Sequence, residues 1–278
     1  MYRLLVITHL TLHESLRKRV LLAALIGGAA FLVLYAVGFH FVARDLNRSP
    51  HTTLLERRVA LTMFTLAGLF AANTLGVMAA VLLPVDALSG EIASGAIQTL
   101  AAKPIRRSEI VLGKWLAHAL VVMGYVSLLI GGVLLAARLF AHYSPPHLQQ
   151  GLPLMLMESV LLVSVSIAGG ARLSTVTNGM VAFGLYGLAF IGNWVEQIGA
   201  FADNVAARNV GTIASLIMPA EVLWQRAAWS MQPTIMRQLQ ATPFSPASVA
   251  SEAMVVWAAA YAAMALLLAV RGFGRRGL

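Results

Sequence analysis

The sequence predicts an all-α integral membrane protein, a single domain with six transmembrane helices. Three observations carry that reading. Of 278 residues, 59% are apolar and only 11% are charged, against about 25% charged in an average soluble domain. The mean hydropathy is +0.79. The apolar residues gather into six long runs with no Lys or Arg near their centres, and a helix needs roughly 20 such residues to cross the hydrocarbon core. So few charges could not cover a soluble protein of this size, and so much apolar side chain excludes disorder. Outer-membrane strands would alternate polar and apolar; these runs do not. The absence of cysteine removes disulfide scaffolds, thiolate metal sites and cysteine nucleophiles.

In chain order, residues 2–17 predict a short amphipathic helix. Leu5, Leu12 and Leu16 share one face, and Arg3, His13, Glu14 and Arg17 the other, a pattern that lies along a membrane surface. His9 and His13 are spaced i, i+4, but without a third ligand they read as a solvated face rather than a metal site. The spans follow at about residues 20–43, 60–85, 115–139, 152–171, 176–195 and 250–270. Between the second and third lies a loop, residues 86–114. Asp86 to Leu100 is helical in pattern, with Leu88, Ile92, Ala96 and Leu100 on one face. Pro104 stops it, and Ser108 is placed to cap the next helix, with Glu109 in its first turn. A bare connector needs only a few residues, so this loop has a task of its own. The glycines of the fifth span, Gly179, Gly184, Gly187 and Gly192, suit close helix packing. Residues 196–249 form the longest segment between spans. Pro219 can start a helix there, and Trp224 and Trp229 suggest one or two helices at the headgroup level.

An even number of spans puts both termini on one side. With Arg138, at the rim of span three, counted with the loop that follows it, that side carries 12 Lys and Arg in about 60 residues, against 8 in about 84 on the other. The cluster Arg17-Lys18-Arg19 abuts the first span. The positive-inside rule therefore places the termini in the cytoplasm. It also accounts for the +9 net charge without nucleic acid. The first apolar run is too long for a signal peptide's h-region, and no small-residue cleavage site follows it.

The loop between spans two and three carries Glu91, Gly95, Leu100, Pro104, Arg107, Gly113 and Lys114 at set spacings. In this the chain resembles the permease subunit of type-2 ATP-binding-cassette (ABC) exporters. The basic tail, Arg271-Gly-Phe-Gly-Arg-Arg-Gly-Leu278, the amphipathic N-terminus and the long segment before the last span are similar to that family too. Within it, the chain looks closest to the branch of the nitrous-oxide-reductase maturation permease. The resemblance implies an exporter subunit of a bacterial cytoplasmic membrane, working by alternating access. It implies a second permease copy, as a homodimer, and two copies of a separate ABC ATPase, with room for a periplasmic partner. The loop helix would be the coupling helix, and Asp86, Leu88, Glu91, Ile92, Gly95, Leu100, Pro104 and Arg107 would meet the ATPase. Glu91 would find a basic residue there or tie back to Arg106 or Arg107. ATP and magnesium belong to that partner: this chain has no GxxxxGK[ST] loop, and no cofactor is expected in it.

Other readings fit less well. An importer permease would begin its loop Glu-Ala-Ala, where this chain has Glu91-Ile-Ala-Ser-Gly95. A membrane enzyme needs catalytic groups at matching depth, and Glu158, His40 and His118 are scattered. A channel needs a polar stripe through several spans, and Asn73, Thr74 and a few small residues are all there is. The acid within a span, Glu158, lies about six residues into the fourth. A carboxylate there faces a bundle interior or water. The reading from loop proximity is a pair with Arg138 at the end of span three. A place on the transport path, or a neutral carboxyl at the lipid boundary, is the alternative.

Overall fold

The computed structural model describes residues 2–48, 53–95, 106–239 and 249–275. All regular structure among them is helical, and six helices are long and apolar enough to cross a membrane. The chain runs α1 (Tyr2–Arg17), α2 (Arg19–Arg48), α3 (Leu54–Leu82), the one-turn α4 (Ser89–Ala93), α5 (Arg107–Ala141), α6 (Leu148–Gly170), α7 (Thr175–Phe201), α8 (Val205–Ile217), α9 (Ala220–Ser230), α10 (Thr234–Leu239) and α11 (Glu252–Gly274). The candidate spans are α2, α3, α5, α6, α7 and α11.

Local chemistry sets several of these ends. Thr53 caps α3: its Oγ1 accepts from Glu56 N, and Glu56 Oε2 accepts from Thr53 N at 2.8 Å, a reciprocal capping box. At the start of α5 the cap is Arg106, not Ser108; Glu109 Oε2 accepts from Arg106 N at 3.0 Å. Only the glutamate's half of a capping box is present, since an arginine side chain has no acceptor to return the bond, and Ser108 falls inside the first turn.

Helices α3, α5 and α6 form the centre. In their most apolar stretches 61%, 44% and 56% of residues are buried, against 11%, 22% and 17% for α2, α7 and α11. The second group is therefore the lipid- or partner-facing periphery. At 35 residues and 1.5 Å per residue, α5 is about 52 Å long. It outruns a hydrocarbon core of about 30 Å, and it packs against α1, α2, α3, α6 and α11.

The segment between α7 and α11 does not simply rest at the surface. Helix α8 folds back along α7, and a Cβ on Gly192 would collide with Ala214. Gly192 thus performs the packing expected of the fifth-span glycines, whereas Gly184 and Gly187 meet nothing within 4 Å. Helix α9 packs on α6 and α7. Trp224 is 3% exposed, its ring 5.6 Å from that of Phe70. The sequence reading placed Trp224 among headgroups; a buried ring packed at a tilt against Phe70 of α3 makes it a core residue. Trp229 is half-buried beneath the Arg237 guanidinium.

Candidate functional site

Two polar constellations stand out in this apolar bundle. The first lies at the end holding the chain termini, around the turn from α3 to α4. Helix α3 ends at Leu82, and Val85 O then accepts from Asn178 Nδ2 of α7 at 3.1 Å and from Ser89 Oγ at 3.1 Å. Ser89 Oγ also meets Thr175 Oγ1 at 2.7 Å. Asp86 receives Lys18 Nζ at 2.8 and 3.0 Å through its two oxygens, joining the turn to the α1–α2 junction. Glu91 is ion-paired and hydrogen-bonded through Oε1 to Lys114 Nζ of α5. Its Oε2 is buried without a partner among the described residues. Beside Lys114, His118 Nδ1 lies 2.8 Å from Lys114 O, and its Nε2 is 3.5 Å from Ser15 Oγ of α1. Arg107 Nη1 donates to Gly274 O of α11 at 3.1 Å.

The spaced loop residues thereby acquire physical reasons. Glu91 and Lys114 are partners. Gly95 has φ +72°, a left-handed conformation that glycine adopts without strain, and it turns the chain away from α4. Gly113 lets α1 approach, since a Cβ there would stand 2.8 Å from Ile7 Cγ2. Of the helix read over Asp86–Leu100, the described residues, to Gly95, form a turn followed by the short α4. Leu100 and Pro104, with Ala96, lie outside the described residues.

Three contacts differ from the sequence reading. Leu88 is fully buried in the bundle core, because the α3–α4 turn tucks under α7; it cannot anchor a partner from there. Ile92 is only half-buried and packs against the same core. Glu91 turns inward to Lys114 instead of to Arg106 or Arg107, since Lys114 is the cation one helix away at the same level.

The second constellation lies within the spans. Asn73 Nδ2 of α3 donates to Glu158 Oε2 of α6 at 3.0 Å. Glu221 of α9 accepts from Tyr186 Oη and Asn193 Nδ2 of α7, both at 3.2 Å. Gln197 Nε2 donates on to Asn193 Oδ1 at 3.1 Å. Glu158 and Glu221 are 1% and 2% exposed, and among the described residues neither has an ion-pair partner. Glu158 Oε1 is buried and unpaired. The expected Arg138–Glu158 pair is not formed: Arg138 is exposed in the last turn of α5, while Glu158 faces α3. Glu221 was missed by sequence reasoning. Its signal was a lone acid in the apolar stretch Ile217-Met-Pro-Ala-Glu-Val-Leu-Trp224.

Among the described residues no group of three or more His, Asp or Glu is placed to hold a metal, and His9 and His13 stack on one another at 5.5 Å. What the first constellation can do is mechanical. The short α4 is bonded to α5 through Lys114 and to α7 through Thr175, and the turn that leads into it is bonded to the α1–α2 junction through Lys18 and to α7 through Asn178, so a displacement of the turn and α4 together acts on all of these.

The sequence model of the ABC-2 family transporter proteins matches residues 6–278. The chain therefore belongs to the ABC-2 family of transporter proteins and is a membrane-embedded permease component. No curated protein gives a significant match.

Proposed function

We propose that this ABC-2 permease is the membrane half of an exporter, driven by a separate ABC ATPase that docks at the α3–α5 loop. The observation that carries the reading is the α3–α4 turn with the one-turn α4, tied to the α1–α2 junction by Asp86–Lys18, to α5 by Glu91–Lys114, and to α7 by the Ser89–Thr175 and Asn178–Val85 bonds. A plain connector has no use for so many ties at a solvent-facing turn. A lever that passes a push into the bundle does.

The docking residues are reassigned accordingly. Leu88 and Glu91 hold α4 in place. The contact to the ATPase falls to the exposed Ala93 and Ser94, to the following loop with Leu100 and Pro104, and to Arg106. A homodimer, with two permeases over two ATPases, places α2, α7 and α11 at lipid or at the second copy, in keeping with their low burial. Alternating access would follow from α4 displacing α5 and α7 together. On this reading the loop, α1 and both termini face the cytoplasm of a bacterial inner membrane, an orientation that the excess of basic residues on that side supports.

A single cysteine at Ala93 or Ser94 tests the proposal, and the chain has no other to remove. In membranes that also hold its ATPase, it should crosslink to that subunit, and a cysteine at Leu216 on α8 should not. Equal crosslinking from both positions, or none from α4, would overturn the docking assignment.

A further inference from the structure

At the opposite end of the bundle, away from α1 and α4, a pocket of about 610 Å³ opens between the start of α3, the α5–α6 turn and the α9–α10 turn. Its lining includes Arg58, His142, Tyr143, Ser144, His147 and Thr234, and among the described residues no acidic one. Arg58 has no ion-pair partner among the described residues. Its guanidinium offers five donors in a fixed fork suited to carboxylate or phosphate oxygens.

The walls are held in shape. Tyr143 Oη is fixed to Thr62 Oγ1 at 2.6 Å, bracing the turn against α3. His142 and His147 both have φ +50°, a region that residues other than glycine seldom occupy. The turn thus holds its backbone left-handed at two histidines, beside a guanidinium that has no ion-pair partner among the described residues. His147 is also the N-cap of α6, and no side chain caps that helix. Arg237 stands behind, with Nη2 3.5 Å from His147 Nδ1, but its Nε is committed to Gln232 O at 2.9 Å. Among the described residues that line the cavity, every polar side chain can donate a hydrogen bond and none is acidic.

We infer that this pocket binds an oxyanion, a phosphate or carboxylate group, with Arg58 as its principal contact and His142 and His147 beside it. The group could arrive on a small soluble anion or as the phosphate of a lipid headgroup. The inference does not depend on the docking of an ATPase, because it concerns the other end of the bundle.

The full chain, reconstituted in phosphatidylcholine nanodiscs, is titrated with inorganic phosphate at constant ionic strength. In parallel, protein from mixed phosphatidylcholine and phosphatidylglycerol discs is examined by native mass spectrometry for retained lipid. Arg58→Gln and His147→Asn are compared with the parent. Both alter exposed side chains, and Asn tolerates the left-handed conformation. Phosphate binding that weakens about tenfold or more in both variants, as loss of a charged hydrogen bond implies, supports a soluble anion. Retention of phosphatidylglycerol that is lost in both variants supports a headgroup. If neither probe binds, or both variants bind as the parent does, the inference is wrong.

Discussion

Replacing Glu91 by Gln tests the strongest bond at the α4 lever. The partner, Lys114, has a side chain only 4% exposed, and Glu91 is 22% exposed. Removing one member of a buried ion pair costs about 3–5 kcal/mol, because the other charge stays buried and uncompensated. Glu91 is more than a fifth exposed, and Gln keeps one acceptor oxygen for Lys114, so the cost falls below that range, at about 2–3 kcal/mol. Lys114→Met should cost less, about 1–2 kcal/mol, because the remaining Glu91 carboxylate can turn toward water. The double variant should fall short of the sum of the two by about 1 kcal/mol or more, the signature of a direct contact. The assay is thermal unfolding of the purified chain in detergent, scored together with pull-down of the ATPase. At about 2–4 °C per kcal/mol for a chain approaching this length, Glu91→Gln should lower the midpoint by roughly 4 °C or more. Strict additivity in the double variant, or an unchanged midpoint for Glu91→Gln, would refute the pairing and with it the reassignment of Glu91 from docking to support.

Gly113→Leu should force α1 away from α5, since even a Cβ meets Ile7 Cγ2 at 2.8 Å; a cost of about 1–3 kcal/mol is expected, with faster proteolysis at residues 2–17 as the readout. Gly95→Ala places a side chain at φ +72° and should cost about 1 kcal/mol, weakening ATPase pull-down more than it lowers the melting point. Glu158→Gln keeps an acceptor for Asn73 and removes a buried carboxylate that has no cation partner among the described residues, so its thermal midpoint should equal or exceed that of the parent; a fall of several degrees would mean that the charge itself is needed. A cysteine at Arg275 should be labelled by an impermeant reagent only after permeabilisation, and labelling of intact cells would reverse the orientation.

The six spans were legible because hydropathy is a local sum: each run declares itself without reference to its neighbours. The loop motif was legible as a spacing but not as a set of contacts. Glu91 and Lys114 are 23 positions apart, and in one dimension the lysine reads as one more positive charge beside a membrane. Leu88 sits on an apolar stripe, and such a stripe fits a partner's groove or the chain's own core equally well. Only the bond from Asn178 to Val85 O, which draws the turn under α7, decides for the core. Trp224 raised the same ambiguity on an amphipathic helix, and Phe70 resolves it.

For a polar residue within a span the difficulty is of another kind, and Glu158 shows it. Loop proximity correctly makes α5 and α6 neighbours, which favoured Arg138, only 20 positions away. Depth decides against that pairing. Helix α6 begins at Leu148, earlier than the run of apolar residues suggests, because His147 and Pro146 turn the chain before the hydropathy rises. Glu158 is therefore about 15 Å along the helix, not about 9 Å, and a side chain in the last turn of α5 remains at the rim. The atom that does reach the carboxylate is Asn73 Nδ2, 85 positions earlier. An amide in an apolar run barely changes its hydropathy, and nothing local ties it to an acid two spans later. Burial in lipid requires that a polar group find a partner, but the requirement does not say on which helix, and separation along the chain is no guide once every helix crosses the same slab.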